Sequence, residues 1–381
     1  MTIFKRKTFI AYARPTRERV VLDVLGDRAS AGLTVPAFAY SLANAQPAKV
    51  VEQIKKLPSH ARPRLLLPDV DILPPNAKPK TPRHDYTASI ETFASTATQA
   101  TPWLKKVIDA EVDGGATVVV TPSLLLEPAH GDVELRRMLE WADAVRGFKK
   151  VGDRPVITAL TLHRTWLSDD EKRETLLNVL TDADDPAFYF VVRWAAHSPS
   201  RMQEAEAKGL EGYREVIEVL RDADKEVVVG RSGLADYVLA GLGASAFLDG
   251  VSVSHLYRDA VYIRRAKGSN PPQRISHYLD GELLGLVPAV QVASFQGDAG
   301  PAACSCSYCL KLTASTFNDS LADRHQLALN ANFADALDAA GNPRAHVRAA
   351  IAAAQQLAVK YKSVLPAYTT SHLGIWDTVT S

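Results

Sequence analysis

Residues 225–253 read KEVVVGRSGLADYVLAGLGASAFLDGVSV. Two short runs rich in Val, Phe and Leu enclose a longer helical pattern, and the turn at residues 230–233 contains two glycines. Buried strands of a parallel sheet are nearly continuous apolar runs, and consecutive parallel strands need a crossover that is usually a helix. The stretch therefore predicts a strand–helix–strand unit and, with it, a parallel sheet in an α/β fold.

The same alternation runs through most of the chain. Strands are predicted at residues 9–13, 34–40, 64–70, 117–122, 155–162, 188–194, 226–230 and 247–253. Helices are predicted at residues 103–113, 133–145, 170–180, 202–220, 234–242, 323–340 and 344–361. Eight units in roughly 255 residues match the size of a (β/α)8 TIM barrel. The first two strands have the weakest pattern, so a doubly wound open sheet is the alternative.

The chain is predicted to divide into a barrel at residues 1–295 and a zinc-binding helical subdomain at residues 296–381. Lys and Arg number 44 against 43 Asp and Glu, so a nucleic-acid partner would have to be held by local basic patches. No run of about 18 apolar residues occurs, which argues against a membrane span. The first residues lack the apolar stretch of a secretory signal, and three clustered cysteines make no disulfide framework. These features predict a cytoplasmic protein.

Cys304, Cys306 and Cys309 are the only cysteines of the chain. Thiolates bind zinc at about 2.3 Å in closed tetrahedral sites, and this spacing lets three of them meet at one point. His325, in a predicted helix, is the expected fourth ligand, with His346 as the alternative. The cluster predicts a structural Zn²⁺ site, and buried reduced thiols are the other interpretation.

The strand–helix–strand stretch and the Cys-x-Cys-x-x-Cys motif with its later His resemble the tRNA-guanine transglycosylase family. In that family a strand ending in glycines precedes a helix and a Phe-Asp-Cys-Val strand, which residues 248–251 match here. The likeness covers the last third of the chain. It implies a pentosyltransferase that exchanges a nucleobase in tRNA or DNA. A modified base of the 7-deazaguanine type would be the second substrate, and homo- or hetero-oligomers are possible.

The resemblance makes Asp249 the nucleophile that attacks the sugar C1′ and displaces a base, leaving a covalent glycosyl-enzyme. A carboxylate suits this task because it can stabilise positive charge developing on the ribose ring. The alternative is an aspartate at a strand end that caps backbone amides. Asp69, at the end of the third strand, is predicted to recognise the base or assist proton transfer. Asp71 is a further candidate for contact with the base, and two loop aspartates facing water are the alternative.

Further substrate-binding residues are expected where barrel strands end. Arg193 and Trp194 end the sixth strand, and Trp194 either stacks on a base or packs in the core. Gly230 and Arg231 belong to a short turn that could cradle a phosphate.

A basic cluster follows the last strand, at Arg258, Arg264 and Arg265. With tyrosines interleaved it could hold phosphates, or it could be a solvated loop. His255 takes the place of an arginine in the family's motif.

Two family elements are absent. The Asp-Ser-Gly-Gly-Phe element after the second strand is replaced by PAFAYSL at residues 36–42, and the Gly-Gly-Leu-Ala turn by VRWAA at residues 192–196. A second hypothesis is therefore a non-catalytic nucleic-acid-binding or partner subunit related to the family. A third is an unrelated barrel lyase or hydrolase.

Overall fold

The computed structural model describes residues 2–13, 18–41, 47–69, 97–195, 206–250, 276–292, 306–309, 312 and 317–381. The strands in these ranges are β1 Thr8–Ala13, β2 Ala37–Ser41, β3 Leu66–Asp69, β4 Val119–Val120, β5 Leu125–Leu126, β6 Val156–His163, β7 Ala187–Arg193, β8 Glu226–Gly230, β9 Ala246–Asp249, β10 His277–Asp280 and β11 Gly285–Pro288. The α-helices are α1 Glu18–Ser30, α2 Pro47–Lys56, α3 Ala97–Asp113, α4 Asp132–Arg146, α5 Thr165–Ser168, α6 Asp170–Asp182, α7 Ala207–Asp222, α8 Ala235–Gly241, α9 Asp319–Ala339, α10 Pro343–Lys360 and α11 Leu373–Thr380. Short 3₁₀ turns lie at Ser59–Ala61, Ala289–Gln291 and Ala367–Thr369.

The first nine strands form one parallel sheet in the order β3-β2-β1-β9-β8-β7-β6-β4, and β5 pairs with β6 beyond β4. The backbone N–H groups of Thr117 and Val118 donate to the carbonyl of Leu66 at 3.1 and 3.4 Å, which joins the β3 edge to the β4 edge. The sheet is therefore curled, with eight strand positions, and is compatible with a TIM-like barrel. All eight predicted strands are confirmed as elements of this α/β fold.

Alternate residues along each strand enter two different apolar clusters. On β1, Ile10 and Tyr12 belong to a cluster inside the curled sheet, whereas Phe9 and Ala11 lie between the sheet and the helices. Burying a Phe or Ile side chain stabilises a fold by about 1.5–3 kcal/mol. Both faces of the strands are covered, which explains why their sequences read as continuous apolar runs.

Helix α9 packs against α1, α8 and β1, the place next to the last strand where a barrel's eighth helix belongs. The guanidinium of Arg28 on α1 donates to Asn332 at 2.6 Å and to Asp335 at 2.5 Å. Arg324 of α9 likewise donates to Asp23 of α1 at 2.5 Å. These contacts join α9 to the barrel, and the predicted boundary after residue 295 stays a prediction.

The antiparallel pair β10–β11 was not expected from the sequence, and neither were α1, α2 and α11. No helix among the described residues is both long enough and apolar enough to cross a bilayer.

Candidate functional site

Two of the three cysteines meet a histidine at one point. The Nδ1 atom of His325 lies 3.2 Å from Sγ of Cys306 and 3.0 Å from Sγ of Cys309. The three side chains offer ligand atoms that all lie within 4.8 Å of one another. Cys304 lies outside the described residues, and His346 is exposed on α10. The cluster can therefore bind a metal ion and is compatible with zinc.

The orientation of His325 decides which ring nitrogen would bind the ion. Its Nε2 atom lies 2.6 Å from the carbonyl oxygen of Leu279 on β10, so Nε2 must carry the proton and donate it. The Nδ1 lone pair then points at the two sulfurs. Metal-ligating histidines are commonly fixed in this way through their other nitrogen. The hydroxyl of Tyr308 donates to Asp27 at 2.5 Å, which ties residues 306–309 to α1.

Asp249 ends β9, and both oxygens of its carboxylate accept hydrogen bonds. One oxygen accepts from the N–H of Gly250 at 2.8 Å. The other accepts from the side-chain amides of Asn330 at 2.9 Å and Gln326 at 3.2 Å, both on α9. Leu248 belongs to the cluster inside the curled sheet, so alternation puts Asp249 on the outer face of the strand. Burial raises the pKa of this carboxyl to about 6, although the three hydrogen bonds oppose the rise.

The position of the Asp249 carboxylate is relevant to its predicted role as the nucleophile. The Asp249 carboxylate faces α9 and not the inside of the curled sheet, and it accepts a backbone N–H as the capping alternative requires. To reach a sugar at the mouth, the side chain would have to rotate away from three donors. The nucleophile role stays a prediction.

Asp236 is a buried acid that the sequence analysis missed. Its carboxylate accepts the backbone N–H of Ser232 at 2.8 Å. Burial raises the pKa of Asp236 well above its usual range, and the charge of Asp249 adds to the rise. The one signal in the sequence is an aspartate inside the apolar stretch LADYVLAGLG, because an acid there is buried once the helix packs.

Trp194 is fully buried on the outer side of the sheet. Its indole N–H donates to the hydroxyl of Ser232 at 3.0 Å, and its ring lies 6.5 Å from that of Tyr213 on α7. A Cβ atom on Gly209 would come within 2.8 Å of the ring, so α7 packs directly on it. The indole offers no exposed face to a base, and the packing alternative describes this residue.

The carboxyl ends of the strands bring two predicted arginines towards one mouth. Arg193 ends β7 beside His163 of β6, and both its terminal nitrogens donate to Glu127, at 3.0 and 2.6 Å. Arg231 follows β8, and its guanidinium lies 5.5 Å from the ring centre of Tyr12, which faces inward. Its φ of 67° is left-handed, a conformation that is uncommon outside glycine.

Gly230 sits beside Arg231 and faces inward. A Cβ atom there would lie 3.0 Å from the ring of Tyr189 and 3.2 Å from Leu248, so the glycine makes room for the tyrosine. Arg193, Gly230 and Arg231 thus lie at the carboxyl ends of β7 and β8, and their role in binding a substrate stays a prediction.

The remaining predicted residues are not placed. Asp69 is the last residue of β3 and pairs with Ser41, but its side chain is outside the described part. The others that lie outside the described residues are Asp71, His255, Arg258, Arg264, Arg265 and Cys304.

Comparison of this chain with known proteins does not identify a family or a function. No protein-family model matches the chain, and no curated protein matches it. Among solved structures, the chain is similar to a type I 3-dehydroquinate dehydratase from Clostridium difficile with covalently modified comenic acid. The sequence identity is 12%, the match covers 65% of this chain and 85% of that one, and the TM-score is 0.37. A TM-score this low carries no argument about fold or function.

Proposed function

We propose that this chain is a nucleic-acid-binding barrel protein related to the tRNA-guanine transglycosylases, in which Asp249 has a structural role. The observation that carries the proposal is the position of its carboxylate, buried on the outer face of β9 with donors from Gly250, Gln326 and Asn330. A nucleophile needs a lone pair directed at the substrate, whereas both oxygens of this carboxylate accept hydrogen bonds from the protein. Residues 36–42 contain no acid where the family has an aspartate, which agrees with a protein that has the family's fold but not its catalytic activity.

The proposed partner is tRNA or DNA, held at the mouth. Arg193 presents a planar fork that now grips the carboxylate of Glu127. A phosphate matches the same fork, so a backbone phosphate can take over part of this pairing. Arg231 keeps a left-handed backbone although the strain costs about 1 kcal/mol or more. Strain of this kind is typical of residues that contact ligands.

The proposed ion is a structural Zn²⁺ bound by Cys304, Cys306, Cys309 and the Nδ1 atom of His325. Thiolates and imidazole are soft to borderline ligands that suit zinc. Three thiolates and one imidazole fill a tetrahedral site and leave no position for substrate. The ion would hold α9 against the segment that precedes it.

Base exchange through Asp249 is the second candidate function. One observation favours it: Asp249 lies at the carboxyl end of the last barrel strand, where barrel enzymes place catalytic groups. In that case Asp69 would recognise the base, and a modified base would replace the one displaced.

Covalent trapping and binding separate the two functions. Labelled tRNA and single-stranded DNA are incubated with the protein and a free 7-deazaguanine-type base, and adducts are sought on a denaturing gel. Our proposal predicts binding without an adduct, and equal affinity for wild type and Asp249→Asn. A wild-type adduct that disappears in Asp249→Asn would establish base exchange instead.

Variants at the mouth test the binding surface. Arg193→Gln and Arg231→Gly should each weaken binding of the same probes about tenfold, or 1.4 kcal/mol. The matched control is Arg348→Gln, because Arg348 is exposed on α10. Thermal unfolding of every variant shows whether weaker binding reflects lost folding. Equal losses in all three variants would argue against the mouth as the binding surface.

A further inference from the structure

A cavity of about 570 Å³ opens at the opposite end of the barrel, at the amino ends of the first strands. Its walls come from the residues that lead into β1, β2 and β3, together with part of α9. Its apolar lining includes Phe4, Val35 and Leu65. This end is separate from the mouth of the proposed function.

The charge around this cavity is strongly positive. Its basic lining residues are Lys5, Arg6, Lys7, His60, Arg62 and Arg64. The one acidic residue among the described lining residues is Asp335, and it already pairs with Arg28 at 2.5 Å. A near-neutral protein therefore concentrates cationic side chains around one concave site.

The segment that supplies three of these cations is held in place. The carboxylate of Glu226 accepts the backbone N–H groups of Ile3 and Phe4 at 2.7 and 2.8 Å. The Phe4 ring is buried in the cluster inside the curled sheet, and the N–H of Lys7 donates to Asp338 at 3.1 Å. The cations are thus presented from a fixed backbone, which reduces the entropy lost when a ligand binds.

The cations of this cavity differ in whether their side chains already have partners within the protein. Lys7 donates to the carbonyl of Ala244 at 2.6 Å, and Arg6 donates to the hydroxyl of Thr34 at 3.0 Å. By contrast, the exposed side chains of Lys5 and Arg64 make no hydrogen bond or ion pair within the residues that the structure describes.

We propose that this cavity binds the phosphate group of an organic phosphate. Lysine and arginine are the usual protein ligands of phosphate, and arginine can donate to two of its oxygens. The volume falls in the range of about 300–1,000 Å³ that is typical of small-molecule sites. The apolar wall formed by Val35 and Leu65 suits the sugar or base that carries the phosphate. The phosphate could belong to a free nucleotide or to the end of a nucleic-acid strand.

Titration calorimetry on the full chain tests the proposal with three probes: inorganic phosphate, adenosine 5′-monophosphate and a 5′-phosphorylated oligodeoxynucleotide. Lys5→Glu/Arg64→Glu should weaken binding of the phosphorylated probes at least about tenfold, and binding should weaken with added salt. Lys5→Gln/Arg64→Gln should give a smaller loss in the same direction. A larger loss for the mononucleotide in Lys5→Glu/Arg64→Glu would identify a free nucleotide as the source, and a larger loss for the oligonucleotide would identify a strand end.

A control pair makes the test specific. Arg348→Glu/Lys362→Glu reverses the same number of charges on exposed residues away from the cavity and should leave the affinity unchanged. None of the cavity's lining residues belongs to the mouth, so this site can fail or succeed independently of the proposed function. The proposal is overturned if no probe binds saturably, or if the control pair loses as much affinity as the cavity pair.

Discussion

Replacing Asp249 by Asn should change how the stability of the protein depends on pH. The pKa of this carboxyl in the folded protein is about 6, against an ordinary value of 3.8. Between these two pH values the folded state keeps a proton that the unfolded state has lost. Stability therefore falls as pH rises through this window, and the loss is complete once both states are ionised. An asparagine does not titrate, so the variant lacks this dependence.

The size of the effect follows from the two pKa values. A tenfold change in an acid constant corresponds to about 1.4 kcal/mol, so the full window from 3.8 to about 6 represents about 3 kcal/mol. Between pH values of about 4.5 and 7, the measurable part is about 2 kcal/mol. Over that range the free energy of unfolding of the wild type should fall by this amount relative to Asp249→Asn.

Urea denaturation at several pH values measures this difference. Because the charge of Asp249 also raises the pKa of Asp236, the comparison is repeated in an Asp236→Asn background. Asp153→Asn is the control for removing an exposed carboxylate. A difference that stays flat with pH would mean that the Asp249 carboxylate is solvated and not buried against α9. That result would refute the structural role and favour the nucleophile.

Three further predictions concern the candidate metal site and the packing. Cys306→Ser should remove the proposed Zn²⁺ and lower the Tm, because ion binding contributes to folding. Exposed Ser307→Ala is the control. Elemental analysis with calorimetry would contradict the structural role if the metal-free protein kept its Tm. Gly212→Ala should destabilise the protein by more than about 2 kcal/mol, since its Cβ would lie 2.0 Å from the carbonyl oxygen of Leu167. Gly26 lies in α1 with open space around it, so Gly26→Ala should instead stabilise the protein by about 0.5–1 kcal/mol. Urea denaturation measures both changes in the free energy of unfolding. Changes of the same sign for the two variants would contradict the packing described at Gly212. Trp194→Phe should cost about 1–3 kcal/mol in the same assay, because the Ser232 hydroxyl loses its donor; an unchanged stability would speak against a buried indole.

The strands were predictable because both faces of this sheet are buried. Glu226–Gly230 has the predicted bounds, since glycine and a turn follow a continuous run of valines. The fourth predicted strand, at residues 117–122, is shortened to β4, Val119–Val120, and the unpredicted strand β5 follows at Leu125–Leu126. Pro122 lies between these two strands, and proline has no N–H to donate to a neighbouring strand.

Helix α1 is an element that the apolar pattern of the sequence did not predict. Its buried face includes three valines, Val20, Val21 and Val24, and β-branched residues favour strands over helices. The packing of this face against β1 and α9 overrides the local preference. Such long-range contacts are not visible in a local reading of the sequence.

The sequence predicted the candidate site only where the residues that form it lie close together in the chain. Cys306 and Cys309 are three residues apart, a spacing that is typical of metal-binding cysteine pairs. Whether the Asp249 side chain points into the curled sheet or towards the helices depends on the register of β9, because a shift of one residue moves every side chain to the other face. The donors Gln326 and Asn330 lie 77 and 81 residues further along the chain, so no motif connects them to Asp249.

Helix α9 links the candidate metal site to the buried acid. His325 faces the two sulfurs, whereas the next residue, Gln326, faces Asp249, because consecutive helical residues point about 100° apart. Asn330 lies one turn after Gln326 and donates to the same carboxylate oxygen. An ion held by His325 therefore fixes the rotation of the helix that supplies both amide donors. A helix released from the metal could turn, and Asp249 would then be left buried without its donors. This geometry gives the Asp249 carboxylate hydrogen-bond partners within the protein that do not depend on attack at a sugar.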